Sequence, residues 1–191
     1  MNLGIKDEAF VRGKVPMTKE EIRILTLVKA QIAPDAVIYD VGAGTGSLSI
    51  EAARLAPAGH VYAIEKNPEA IGLIAENAKR FGAENITAIE GTAPDALAGL
   101  PALDVALIGG SGRKLSDILD IIGERLRPAG RIVANAITMQ TAAACLDYFH
   151  AHADRYTYEA IQVQINRLER VGSYDMAKAL NPIYIITAQR K

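Results

Sequence analysis

The hydrophobic positions of this chain fall in short blocks. Runs at 36–41 (AVIYDV), 60–65 (HVYAIE), 86–90 (ITAIE), 103–108 (LDVALI) and 131–136 (RIVANA) are rich in Val and Ile and bounded by Gly or Pro. Runs of that length and composition predict buried strands. Between them the apolar residues recur at helical spacing, which predicts helices over 46–56, 68–81, 114–126 and 139–153. In DILDIIGERL, for instance, Ile118, Ile121, Ile122 and Leu126 follow the i, i+3, i+4 rule. Strands alternating with helices predict an α/β fold, a parallel sheet covered on both faces.

Both ends of the chain depart from this alternation. YTYEAIQVQINRLER (156–170) and NPIYIITAQ (181–189) are strand-like with no helix between them. They predict an antiparallel pair closing one edge. At the front, Thr18 followed by Glu21 reads as a capping box that opens a helix through Ile22, Leu25, Val28 and Lys29. The expectation is one domain over 1–191 with a helical extension at about 1–33. No internal repeat or low-complexity segment interrupts it.

Composition narrows the class. The chain has 191 residues, half of them hydrophobic and 23% charged, which suits one domain with a sizeable core. The net charge of −1 provides no basic field for nucleic acid. No apolar run approaches the ~20 residues of a membrane span, and the first residues lack the apolar core of a signal peptide. No membrane partner and a cytoplasmic location are expected. Cys145 is the one cysteine, so no intrachain disulfide forms, and its place in a predicted helix reads as core packing. His60, His150 and His152 are joined by no cysteine or carboxylate cluster, and no metal site is read from them.

Candidate chemistry lies at the strand ends. After the first strand comes DVGAGTGS. Gly42, Gly44 and Gly46 permit a tight turn and close approach to a ligand. Ser47 stands where the dinucleotide pattern would have its last glycine. Asp40 would repel a pyrophosphate and suit a cation. Glu65, ending the second strand, suits a ribose diol. A cationic ligand carrying a ribose is S-adenosylmethionine. The fourth strand ends in Gly109, Gly110, Ser111 and Gly112, then Arg113 and Lys114. Nothing in that turn is a base at neutral pH. This predicts either an acceptor that is itself nucleophilic, such as an electron-rich ring carbon, or a catalytic group brought from another segment. Gly110 and Ser111 would form a floor beneath the ring, with the turn offering close approach and backbone N–H groups.

DVGAGTG and the Glu of AIEKNP resemble the first two motifs of class I methyltransferases, with Gly91, Thr92 and Ala93 where that superfamily holds adenine. The likeness narrows with VPMTKEEIR, EGTAPDAL, IGGSGRK, GRIVANAIT and ALNPIYIITA. Together these resemble the decarboxylating cobalt-precorrin-6B methyltransferases, the CbiT family, over nearly the whole chain. The resemblance implies a Rossmann-like methyltransferase fold with a mostly parallel seven-stranded sheet. It implies cofactor contacts at Thr18, Gly42, Ala43, Gly44, Thr45, Gly46, Glu65 and Ala93, with Asp40 and Thr92 beside them. Glu65 is Asp in some relatives, and either carboxylate suits a ribose. The implied reaction methylates carbon 15 of a corrinoid and removes the carboxylate of its carbon-12 acetate; any cobalt arrives with that substrate. A homotetramer is also implied, and the C-terminal strand segments offer apolar surface for one. The substrate's carboxylates call for cations; Arg23 and Arg113 are the first candidates, with Arg167 and Arg170 behind them. Two alternatives stand beside this reading: a methyltransferase for another substrate, such as an RNA base or a protein carboxylate, and a non-catalytic S-adenosylmethionine-binding module.

Overall fold

Strand β1 (Val37–Val41) is the middle of the molecule, with Ile38, Tyr39, Asp40 and Val41 all buried. Burial on both faces is the mark of a parallel strand covered by helices on either side. The computed structural model describes residues 3–191. Around β1 lie β2 (His60–Glu65), β3 (Ile86–Glu90), β4 (Leu103–Ile108), β5 (Leu126–Ala136), β6 (Tyr156–Val163) and β9 (Ile183–Arg190). The sheet order is β3-β2-β1-β4-β5-β9-β6. All adjacent pairs from β3 to β5 are parallel, whereas β9 runs antiparallel to both β5 and β6.

The helices are α1 (Glu20–Ala30), α2 (Ser47–Leu55), α3 (Pro68–Phe81), α4 (Leu115–Arg125) and α5 (Met139–Ala151). Local rules place α3 cleanly. The Asn67 side chain accepts from the Glu69 N–H at 3.0 Å, Pro68 takes the first position, and Gly82 closes the helix at φ +62°. Cys145 on α5 is fully buried, and desolvation pushes its thiol up to about 12. Among the described residues no helix is long and apolar enough to cross a membrane.

Two expectations need correction. The stretch 156–170 is two strands. β6 ends at Val163, and the chain then leaves the sheet to form a separate hairpin, β7 (Asn166–Val171) and β8 (Tyr174–Ala179), turning at Gly172 with φ +64°. The expected antiparallel pair does close that edge of the sheet: β6 pairs with β9, with β6 outermost and β9 against β5. The capping box at Thr18 does not form. Helix α1 begins one residue later, its N-cap Lys19 makes no side-chain cap, and the first helical N–H, from Glu20, is accepted by the Asp7 carboxylate at 3.0 Å. A carboxylate from an N-terminal strap thus serves the terminus from outside the helix.

Candidate functional site

Strand order reverses between β1 and β4, and in open parallel sheets the ligand crevice lies at such a point, beyond the carboxyl ends of the strands. Here it is a cleft of about 800 Å³ lined by the ends of β1, β2, β3 and β4, by the strap at Val15–Lys19 and by the root of the hairpin.

Two glycine turns meet in its base. The N–H groups of Gly109 and Gly110 both donate to the Val41 carbonyl, at 2.9 and 3.2 Å. Gly42 has φ +75°, and a Cβ there would meet Gly110 N at 2.7 Å and its Cα at 2.9 Å. Gly42 must therefore be glycine for two reasons, its backbone conformation and the neighbouring turn. Gly44 is in the same position towards the strap: φ +55°, and a Cβ would meet the Pro16 carbonyl at 2.9 Å. Gly110 differs, since its Cβ would meet only the Gly42 Cα at 3.8 Å. Gly110, Ser111 and Gly112 line the cleft, Gly110 and Gly112 exposed. One part of the expectation changes: the first two N–H groups of this turn hold the turns together and are not offered to a ligand.

Glu65 ends β2 at the other side of the glycine loop. Its carboxylate accepts from the N–H groups of Gly44 at 3.0 Å, Lys66 at 2.8 Å and Asn67 at 3.0 Å. Those bonds fix the side chain at the cleft wall. A carboxylate has about four acceptor sites, so one remains in this arrangement. Thr92 and Ala93 line the wall after β3, and Thr18 and Ala43 line it from the strap and the glycine loop.

Asp40, Thr45 and Gly46 lie behind the lining. Asp40 is buried and accepts from the Ser49 hydroxyl at 2.5 Å, while its Oδ1 has no partner among the described residues. Burial raises its pKa to about 6, the nearby Glu65 charge adds to the rise, and the Ser49 bond opposes it. Thr45 is buried, its hydroxyl has no partner among the described residues, and its carbonyl accepts from Asn77 at 3.0 Å. Gly46, at φ +77°, turns the chain into α2.

The arginine expectations fare unequally. Arg23 is corrected: its side chain is 0% exposed and does not line the cleft. Its Nε donates to Glu51 at 2.9 Å, one terminal nitrogen to Asp7 at 2.8 Å and to the Thr18 carbonyl at 2.6 Å, and the other to the Ile5 carbonyl. The Phe10 ring lies 4.8 Å from the guanidinium carbon. Two carboxylates and two carbonyls take four of its five N–H donors, and the side chain is fully buried away from the cleft, so it offers none to a substrate there; it acts on the cleft only by holding the strap at Thr18. Arg167, on the hairpin, also stays out of the lining and is paired with Glu21 at 2.9 Å, with Asp7 at 3.7 Å. Arg113 is exposed beside Gly112, and among the described residues no ion pair holds it. Sequence reasoning missed Lys19, Lys66, Asn135, Ile137, Ile165, Asn181 and Ile183, all of which line the cleft. Several come from the hairpin root, which no local motif marks.

A sheet with only β9 reversed, a glycine loop after β1 and an acidic residue closing β2 define a class I methyltransferase fold. The sequence profile of the precorrin methyltransferase domain family matches residues 8–190. The cobalt-precorrin-6B C(15)-methyltransferase (decarboxylating) of Salmonella typhimurium is 39% identical over 188 residues, covering 98% of this chain and 96% of its own. The crystal structure of precorrin-6y C5,15-methyltransferase from Geobacter metallireducens is 40% identical, with TM-score 0.91 and 98% of each chain covered. The precorrin 8W decarboxylase structure from Methanobacterium thermoautotrophicum is 35% identical with TM-score 0.90, covering 96% of this chain and 98% of that one. The chain belongs to the precorrin methyltransferase family.

Proposed function

We propose that this protein transfers a methyl group from S-adenosylmethionine to carbon 15 of a precorrin, with or without cobalt, and releases the carboxylate of the carbon-12 acetate as carbon dioxide, a step of cobalamin biosynthesis. The observation that supports it most directly is the contact of the two glycine turns. It brings the acceptor-side turn against the cofactor-side loop with no side chain between them.

The residues fit the methyl donor. Gly42 and Gly44 leave room that any Cβ would fill, the carboxylate of Glu65 suits the ribose diol, and Thr92 and Ala93 suit the adenine. Asp40 and Glu65 put two acidic groups near a ligand with a net positive end. S-adenosylmethionine supplies an electrophilic sulfonium methyl when bound. The chain's own work is then to orient and to exclude water. Reacting atoms must approach within roughly 3–3.5 Å, and the bare Gly109–Gly110 turn permits that for the edge of a flat ring. Nothing from Gly109 to Gly112 removes a proton at neutral pH, so the ring provides the nucleophile. Arg113, with Lys19 and Lys66 on the cleft wall, supplies cations for the ring's carboxylates.

We further propose that the chain works as a single domain, in the cytoplasm, as a homotetramer without nucleic acid or membrane partners. The hairpin supports self-association. Leu168 and Tyr174 are 74% and 75% exposed, with Val171 and Met176 also exposed. Cross-strand pairing sets Val171, Tyr174 and Met176 on one face and Leu168 on the other. A two-stranded ribbon with that much bare apolar surface is marginal alone.

Single-turnover mixing with methyl-labelled donor and precorrin-6B tests the activity. The expected product has gained the label and lost carbon dioxide. A protein that binds the donor and transfers nothing would be a binding module, and label in RNA or in a protein carboxylate would make it a methyltransferase of another substrate.

A further inference from the structure

We propose that the carboxylate that is lost lies against the cleft wall formed by the end of β5, the hairpin root and the start of β9, and that the amide of Asn135 orients it. This rests on the reading of the reaction above.

The placement follows from the sheet. Glu65 ends β2, and the bare turn ends β4, two strands away in the order β2-β1-β4-β5. In the parallel register Ile108 faces Ala134, so Asn135 stands beside Gly109, one strand spacing of about 4.8 Å further on. A ring resting on the Gly109–Gly112 turn, with its methylated edge towards the donor, has its next substituents over β5.

The wall there has an uncommon composition for a site that receives a polycarboxylate. It is made of Ile22, Asn135, Ile137, Ile165, Leu180 and Ile183, with Asn181 at its margin. No charged side chain from β5, the hairpin root or β9 lines the cleft. The lining cations lie elsewhere: Lys66 follows Glu65, and Lys19 stands 3.7 Å from the Asp7 carboxylate.

The Asn135 amide is held by a bond whose direction can be worked out. The Thr26 hydroxyl donates its one proton to the Ile22 carbonyl at 2.7 Å. The hydroxyl oxygen lies near both ends of the Asn135 amide, 3.1 Å from Oδ1 and 3.0 Å from Nδ2; with its proton given to the shorter Ile22 bond it is an acceptor here and takes an Nδ2 hydrogen. The second Nδ2 hydrogen has no protein acceptor among the described residues. A fixed, neutral donor therefore stands at an apolar wall.

That arrangement suits carbon dioxide loss. In the ground state the charge is concentrated on two oxygens. As the bond between the carboxyl and methylene carbons breaks, its electron pair moves into the conjugated ring and carbon dioxide leaves uncharged. The sulfonium methyl takes a pair from carbon 15 and leaves a neutral thioether. The proton shed at carbon 15 matches the one gained by the side-chain carbon. An arginine at this wall would bind the ground state more tightly than the transition state, lowering KM and kcat together. One neutral hydrogen bond orients the group with far less of that effect, and the apolar side chains keep water from it.

The test uses Ile137→Arg and Asn135→Ala in the full-length protein. Ile137 is 62% exposed, so the arginine challenges no packing. Substrate affinity is read by absorption titration with precorrin-6B in the absence of donor, and turnover by carbon dioxide release and label transfer. Ile137→Arg is expected to bind precorrin-6B more tightly and to release carbon dioxide at least tenfold more slowly, with donor affinity unchanged. Asn135→Ala is expected to lose about ten- to a hundredfold in carbon dioxide release, the range for one hydrogen bond to a charged group. Wild-type turnover in Ile137→Arg, or weaker precorrin binding, would overturn the assignment whether or not Asn135→Ala folds. A wild-type protein inactive on precorrin-6B would overturn the reaction itself, a distinct result.

Discussion

Gly42 and Gly110 touch, yet adding one methyl group to each should have opposite consequences. At Gly42 an alanine would adopt φ +75° and place its Cβ 2.7 Å from Gly110 N, 2.9 Å from its Cα and 3.0 Å from its O, all backbone atoms. The left-handed conformation costs roughly 1–2 kcal/mol, and an overpacked contact costs roughly 1–3 kcal/mol more. Gly42→Ala should therefore lose about 2–5 kcal/mol, roughly 4–20 °C in melting temperature for a chain of this size. It should also push the two turns apart and weaken donor binding. At Gly110 the nearest atom to a new Cβ is 3.8 Å away, an ordinary contact. Gly110→Ala and Gly110→Val should stay within about 0.5 kcal/mol of the parent and bind donor normally. They should fail in methyl transfer, because the side chain occupies the ring's seat. Ser111→Ala should lose at most about a hundredfold, one hydrogen bond's worth. Urea unfolding, donor calorimetry and single-turnover transfer separate these effects. If Gly110→Val transfers methyl at the parent rate, no ring rests on this turn. If Ser111→Ala is as inactive as Gly110→Val, the hydroxyl takes part in the chemistry and the floor is the wrong description.

Other consequences are as direct. Glu65→Ala should weaken the donor by about 1.5–3 kcal/mol, ten- to more than a hundredfold, and unchanged calorimetry would remove the ribose assignment. Arg23→Leu leaves Asp7 and Glu51 buried without their shared cation and should cost about 3–5 kcal/mol of stability; a variant of parent stability with weaker precorrin binding would restore Arg23 to the substrate. Asp40, ordinarily near 3.8 and here raised to about 6, keeps a proton in the fold that the unfolded chain releases. Stability should fall as pH rises from about 4 to about 6, by about 3 kcal/mol in all; Asp40→Asn should flatten that slope in urea titrations, and an unchanged slope would assign it to another group. Val171→Glu with Tyr174→Glu should give monomers by light scattering, and an unchanged mass would place any self-association elsewhere.

The parallel core was legible in the sequence because its central strands β1 and β4 are buried on both faces and stop at Gly42 and Gly109, so a short apolar block ending in glycine is their whole signature, and the flanking strands repeat it more weakly. The hairpin was not. Alternation runs unbroken through Gln164 and Ile165, where the chain leaves the sheet, and no glycine or proline marks the departure; the one signal was Gly172–Ser173, a two-residue glycine turn between Val171 and Tyr174. Arg23 was misjudged for a related reason. Its partners lie sixteen residues before it and twenty-eight after it, and a helix pattern cannot report a carboxylate brought from so far. The same long-range strap displaced the cap at Thr18 by offering Asp7 in its place.

The site divides along the same line. Its donor half uses backbone turns and a carboxylate at fixed distances from strand ends, and these appear as motifs. Its acceptor half carries no comparable mark, because a reaction that takes its nucleophile and its electron sink from the substrate asks little of titratable side chains. What it asks for is room, the role proposed for Gly109 and Gly110, and a dry wall, the role proposed for the isoleucines that three separate segments bring to the cleft. Ile137, Ile165 and Ile183 are indistinguishable from core residues until the fold sets them around one cleft. An enzyme of this kind is recognised in sequence by its donor site, and its chemistry is read from the side chains that its acceptor site leaves out.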